Sequence, residues 1–243
     1  MKVFRTLSIL LLLTLLPISS KGASWTAPTM PVNEGLPPMG EQIYLLHTGR
    51  QMFLTKGTTW GTHAALADNV SAALPYIIYD LGTYQRLYSP KAGNKRYLFL
   101  NDGTEGNVYT DYNGQDITCS YWKLQAVNNG HFRIMLASEN VHSSTLPNYR
   151  LGWNPNNVDK NESGGSLGTN IGIFAVSPTG TGNETEWTYI TDEQYANRML
   201  LREVMLAHGF KPLVEEWWHF TLEEEPFPDT YFTFPVNSDS LSF

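Results

Sequence analysis

From Glu41 to about Ile190 the apolar residues come in short runs, separated by Gly, Asn, Asp and Thr. Runs of this length with turn residues between them predict strands and tight turns, not helices. The runs repeat in threes. Ile43-Tyr44-Leu45-Leu46, Gln85-Arg86-Leu87-Tyr88 and Phe132-Arg133-Ile134-Met135 open three units. Met52-Phe53-Leu54, Tyr97-Leu98-Phe99-Leu100 and Tyr149-Arg150-Leu151-Gly152-Trp153 follow them. Tyr76-Ile77-Ile78-Tyr79, Tyr121-Trp122-Lys123-Leu124 and Glu186-Trp187-Thr188-Tyr189-Ile190 close them. Phe53 and Tyr97 are 44 positions apart, and Tyr97 and Tyr149 are 52 apart. Such a repeat, all strand and turn, predicts a mainly β fold: a closed three-fold barrel over residues 41–190. The third unit is the longest. Its extra length lies in Asn154 to Asn170 and Thr179 to Glu184, whose Gly, Asn and Ser content belongs on a surface.

At Thr191 the period changes. Thr191-Asp192-Glu193-Gln194 reads as a capping box, with a hydroxyl at the N-cap and a glutamine three residues on. Leu200, Leu201, Val204 and Met205 then fall on one apolar stripe of a helix, and His208-Gly209 closes it. Thr221-Leu222 continues a strand after Phe220, Glu223 to Pro228 is an acidic turn, and Tyr231-Phe232-Thr233-Phe234 is a last strand. One helix and two strands over residues 191–243 cannot enclose a core, so this α+β segment must dock on the barrel or on another chain.

Residues 1–24 read as a secretory signal. Lys2 and Arg5 precede the apolar run Leu7 to Leu16, Pro17 ends it, and Ser20, Gly22 and Ala23 offer small residues for cleavage. Residues 25–40, rich in proline, read as a linker. No later stretch is apolar enough to span a bilayer, so the mature chain is expected to be exported, periplasmic or extracellular. A formal net charge of -7 argues against nucleic acid as a partner. The lone Cys119 cannot form an internal disulfide, and its strand-like setting points to a buried small hydrophobe. Asn69-Val70-Ser71, Asn161-Glu162-Ser163 and Asn183-Glu184-Thr185 match the glycosylation acceptor pattern, which arises often by chance.

The candidate chemistry is concentrated in Glu215-Glu216-Trp217-Trp218-His219-Phe220. On a regular strand Glu216 and His219 would face opposite ways. A bend between them would bring both to one centre, where His219 could ligate zinc and Glu216 could act as base toward a zinc-bound water. The structural alternative is an aromatic core segment with two polar groups at its edge.

Two resemblances extend this reading. The three-fold pattern resembles a β-trefoil of the ricin-B lectin type, which implies a glycan as partner. The Gln-x-Trp of those lectins is absent: Trp122 follows Ser120-Tyr121, and Trp187 follows Thr185-Glu186. Trp60 and Trp153, in turn-rich sequence, are either sugar platforms or plugs of the barrel. The segment from Asn197 through Gly209-Phe210, Glu216-Trp217-Trp218-His219-Phe220 and Tyr231-Phe232-Thr233-Phe234-Pro235-Val236 resembles the end of the VanX-type D-alanyl-D-alanine dipeptidases. These are zinc peptidases that act on the cell-wall dipeptide D-Ala-D-Ala.

The dipeptidase resemblance implies that Glu216 is the catalytic base and His219 the last zinc ligand. The family's other two ligands lie in a Ser-x-His-x-x-Gly-x-Ala-x-Asp motif, in which Asp follows His by seven positions. No histidine here has Asp at that spacing, and His63 with Asp68 is spaced wrongly. The family's Asp-Ala-Tyr-Arg-Pro stretch also has no counterpart. Either the barrel supplies substitutes, such as His131 or His142 with Asp159, or the chain alone does not hydrolyse the dipeptide. Three expectations follow: a zinc dipeptidase completed by other residues, a glycan-binding trefoil with a relic peptidase tail, or a truncated or rearranged product joining the two.

Overall fold

The computed structural model describes residues 35–57, 63–67, 70–93, 96–101, 106–111, 116–127, 130–153, 171–176, 184–213 and 216–226. The expected leader, Trp60, Asp68, Asp159, the asparagines of the three acceptor patterns and the Tyr231–Phe234 strand lie outside them.

The first unit holds β1 (Gln42–His47), β2 (Met52–Lys56), β3 (Ala64–Ala67) and β4 (Pro75–Asp80). The second holds β5 (Gln85–Tyr88), β6 (Phe99–Leu100), β7 (Val108–Tyr109) and β8 (Trp122–Ala126). The third holds β9 (Phe132–Leu136), β10 (Arg150–Trp153), β11 (Ile171–Val176) and β12 (Trp187–Thr191). The outer strands of each unit pair around a closed ring, β1-β12-β9-β8-β5-β4, with β4 returning to β1. The inner pairs β2-β3, β6-β7 and β10-β11 form three hairpins. These hairpins meet one another: β3 pairs with β11, His63 bridges to Tyr109, and the Ala175 amide donates to the Gly106 carbonyl at 2.7 Å. A six-stranded barrel capped by three joined hairpins is a β-trefoil. Closure leaves the barrel strands no free edge.

The core repeats with the chain. Leu45, Leu87 and Ile134 are fully buried at equivalent places in β1, β5 and β9. Leu54, Leu98 and Leu151 form a second buried layer, and Tyr76, Trp122 and Trp187 a third. The indole N–H of Trp122 donates to the Leu98 carbonyl at 2.9 Å, and that of Trp187 to the Leu151 carbonyl at 3.0 Å. Each tryptophan thus ties a barrel strand to the hairpin of its own unit, burying a large ring with its one polar atom satisfied. In the first unit Tyr76 takes this place, and its buried hydroxyl has no partner among the described residues.

The register corrects one detail of the sequence alignment. Phe53 faces Leu46 and Tyr97 bridges Tyr88, but Arg150, not Tyr149, faces Met135. The third unit is therefore offset by one residue relative to the aromatic match. The β3, β7 and β11 strands were not expected either: Ala64–Ala67 has no alternation, and Val108–Tyr109 is two residues long.

Helix α1 (Asp192–Ala207) continues directly from β12. Its capping box forms as expected: the Gln194 amide donates to the Thr191 hydroxyl at 3.2 Å, and the Thr191 amide to the Gln194 side-chain oxygen at 2.9 Å. Gly209, at φ +79°, ends it in the left-handed region. The helix docks on the outside of the trefoil. Tyr195 stacks on Tyr44 with ring centroids 3.8 Å apart, and Asp192 accepts from Gln42 Nε2 at 2.6 Å. The Arg198 guanidinium lies between the rings of Phe53 and Trp217, at 5.9 and 4.4 Å.

The apolar stripe of α1 does not face the barrel. Leu200 is 61% exposed, and Leu201 and Val204 are also exposed. The face toward the barrel is instead the one carrying Tyr195 and Arg198, because a guanidinium can bury its stem between aromatic rings. After the helix come β13 (Phe210–Pro212) and β14 (Phe220–Leu222), an antiparallel hairpin. The second of these is the strand expected through Thr221-Leu222, whereas the first carries no sequence signal. Among the described residues no helix is long and apolar enough to cross a membrane.

Candidate functional site

Glu216 and His219 sit at the closed end of the β13-β14 hairpin. The His219 amide donates to the Glu216 carbonyl at 2.9 Å, so the chain bends between them instead of alternating. The Leu213 amide donates to the His219 carbonyl, also at 2.9 Å, and fixes the turn to β13. The bend brings the two side chains together: His219 Nδ1 lies 2.9 Å from Glu216 Oε2. Both are about half exposed, at 44%. A pair this wet is worth at most about 1 kcal/mol. Trp217 packs under Arg198, with Trp218 edge-on at 5.7 Å and largely in solvent.

This donor set does not fit a catalytic zinc site. Such a site takes three protein ligands and leaves one position for water. Here one imidazole is present, and the carboxylate beside it is the group expected to act as base. Among the described residues no three His, Cys, Asp or Glu side chains lie close enough to share a metal ion. His131, one of the substitutes considered, is held by Glu186 at 3.5 Å, and Glu186 also takes Arg133 at 3.0 Å. His142 lies in the turn after β9, where its carbonyl accepts from the Leu146 amide.

His47, His63 and Cys119 have structural surroundings. His47 is buried against Trp187, edge-on at 5.0 Å. Its Nδ1 accepts from the Arg50 amide, so its Nε2–H donates to the Glu184 carbonyl at 2.9 Å. Burial pushes its pKa down to about 4, and the nearby Arg50 charge adds to the effect. Burial lowers that of His63 as well. Cys119 is buried, and burial raises its thiol to about 12, which leaves it unreactive. Trp153 is half-buried against the barrel core with the Arg50 guanidinium 4.6 Å from its ring centre, so its face is already covered.

Sequence reading missed the outer face of β4 and β5. Tyr79 faces Arg86 across these strands, and Tyr88 faces Ile77. Arg86 lies 3.5 Å over the ring of Tyr97 and donates from Nε to the Ser120 hydroxyl at 2.9 Å. Tyr84 stacks on Tyr121 at 3.8 Å, and Arg96 donates to the Tyr88 hydroxyl at 3.2 Å. The signal was present as tyrosines at successive outward positions, but it needed the strand register to become one surface.

Residues 179–237 match the family of D-ala-D-ala dipeptidases. A D-alanyl-D-alanine dipeptidase of Streptomyces coelicolor is 61% identical over 41 residues, which are 17% of this chain and 20% of that protein. One from Enterococcus faecalis is 46% identical over 48 residues, 20% of this chain and 24% of that protein. The chain thus spans about a fifth to a quarter of the length of the curated relatives it matches. The designed three-fold symmetric protein ThreeFoil is similar over 61% of this chain and 97% of its own, at 14% identity and a TM-score of 0.42. A Polyporus squamosus lectin is similar over 63% of this chain and 50% of its own, at 12% identity and a TM-score of 0.43.

Proposed function

We propose that this chain is an exported binding protein, in which the trefoil recognises a glycan and the dipeptidase-type segment is not a zinc centre by itself. The observation that carries this reading is the contrast in completeness. The trefoil has all its strands, a core in three repeated layers and a closed barrel, whereas the Glu216–His219 turn has one imidazole and no further donor set among the described residues. Function belongs to sites and not to folds, so the glycan reading needs a direct test. The mature chain is passed over immobilised cellulose, chitin, mannan and peptidoglycan. Retention on at least one, released by soluble oligosaccharide of the same type, is the expected result. Passage through all four overturns the reading.

A second reading rests on the 61% identity of the tail to the Streptomyces coelicolor dipeptidase. In it, D-Ala-D-Ala is the substrate, Glu216 takes a proton from water, His219 binds zinc, and donors from outside the described residues complete the site. Hydrolysis of D-Ala-D-Ala by the purified chain separates the two readings.

A further inference from the structure

The geometry points to the outer face of β4 and β5 as the binding surface for a neutral oligosaccharide, with Tyr79 as the stacking platform and Arg86 and Arg96 as donors to sugar hydroxyls. The inference rests on the binding reading above and names its site and ligand class. Ile78, Leu87 and Trp122 point into the barrel and are fully buried, so their neighbours Tyr79, Arg86 and Tyr121 point out. The pairing of Tyr79 with Arg86, and of Gln85 with Trp122, puts these three in one row across the sheet.

Tyr88 and Tyr97 continue the surface, their rings 5.4 Å apart, with Tyr79 6.0 Å from Tyr88. Tyr79 is 41% exposed, while the others are half-buried and pack on each other. A ring held from behind and open in front suits the C–H face of a hexopyranose, and it loses little freedom on binding.

The two arginines supply the polar half. Among the described residues neither guanidinium has a carboxylate partner. Arg86 donates through Nε alone, to Ser120, and its two terminal nitrogens have no partner there. A planar fork of free N–H groups matches a pair of adjacent hydroxyls. The ligand is assigned as neutral because of the carboxylates nearby. Asp80 accepts from Gln85 and Gly82, Asp111 from the Arg96 amide, Asp116 from Thr118, and Glu139 from the side chains of Thr83 and Ser138. These donors hold Asp80, Asp116 and Glu139 below the usual carboxylate range, so they are ionised and oppose an anionic sugar.

The test is calorimetry with neutral manno-, cello-, chito- and galacto-oligosaccharides, and with oligogalacturonate as the anionic probe. At least one neutral series binds and oligogalacturonate does not. Tyr79→Ala weakens binding about tenfold or more, Tyr79→Phe stays within about twofold, and Arg86→Gln weakens it about fivefold. Tyr79 is exposed, so its variants keep the parent melting temperature, and Trp153→Phe keeps the parent affinity. Neutral binding that ignores Tyr79→Ala, or preference for oligogalacturonate, overturns this site while leaving the binding reading intact. Absence of any binding, joined to passage through all four columns, overturns both.

Discussion

The trefoil and the segment that follows it are built on opposite terms. In the trefoil nine equivalent side chains in three layers are fully buried, and two tryptophans spend their only polar atom on a backbone carbonyl of their own unit. In the segment no residue of α1 is fully buried, and Leu200, Leu201, Val204, Leu206, Leu213 and Trp218 are exposed. Its attachment rests on Tyr195, Asp192 and Arg198. The dipeptidase family matches residues 179–237, which take in this segment and only the last strand of the trefoil. The comparison teaches that sequence identity and structural completeness lie in different parts of this chain. The part that resembles the dipeptidases is the part whose helix buries no residue fully.

The contrast can be broken by substitutions, and the largest effect belongs to the barrel. Trp187→Ala should cost about 3–5 kcal/mol, because it leaves a cavity and frees the Leu151 carbonyl. Trp218→Ala, with the same change of volume, should stay within about 0.5 kcal/mol. Chemical denaturation of both variants tests the pair, and similar losses would contradict the account.

Acid should act on the barrel next. The folded pKa of His47 is below the value of 6.5 that an unhindered imidazole has. The unfolded chain therefore takes up a proton that the folded chain refuses. Stability is fully present above about pH 6.5 and falls as the pH drops toward 4, by about 3 kcal/mol from this group. His63 acts in the same direction. A His47→Gln variant, melted from pH 8 to pH 4, should lose much of that slope.

Gly152→Ala should cost about 2 kcal/mol, because a Cβ there meets the Glu184 carbonyl and the side chains of Thr185 and Val176. A thermal melt reads it. The smallest effect belongs to the segment. Thr191→Ala removes the helix cap and should cost about 1 kcal/mol, seen as lower helical dichroism while the barrel transition moves little.

Much of the barrel was legible because its strands carry aromatic and branched residues at the same place in each unit. Leu45, Leu87 and Ile134 announce themselves by period, as do Trp122 and Trp187. The inner strands were not legible, since Ala64–Ala67 is uniformly small and Val108–Tyr109 is too short for any period. The one-residue offset at Arg150 could not be seen without cross-strand partners. On α1, periodicity marks Leu200, Leu201, Val204 and Met205 as one apolar stripe but does not say which face docks. The contacts turned Tyr195 and Arg198 inward, because Tyr44, Phe53 and Trp217 offer rings and not an apolar groove. Glu216 and His219 were legible by resemblance, and their bend was one of two geometries left open. The tyrosine–arginine face was hidden, since it joins β4, β5 and the turn before β8 only through the closed ring.

The measurement that bears most directly on the account is the zinc content of the purified chain, with D-Ala-D-Ala hydrolysis followed in the same sample. The account predicts zinc far below one ion per chain and no turnover. One zinc per chain that is lost in His219→Ala, with turnover lost in Glu216→Gln, would contradict it and make the tail the working centre of the protein.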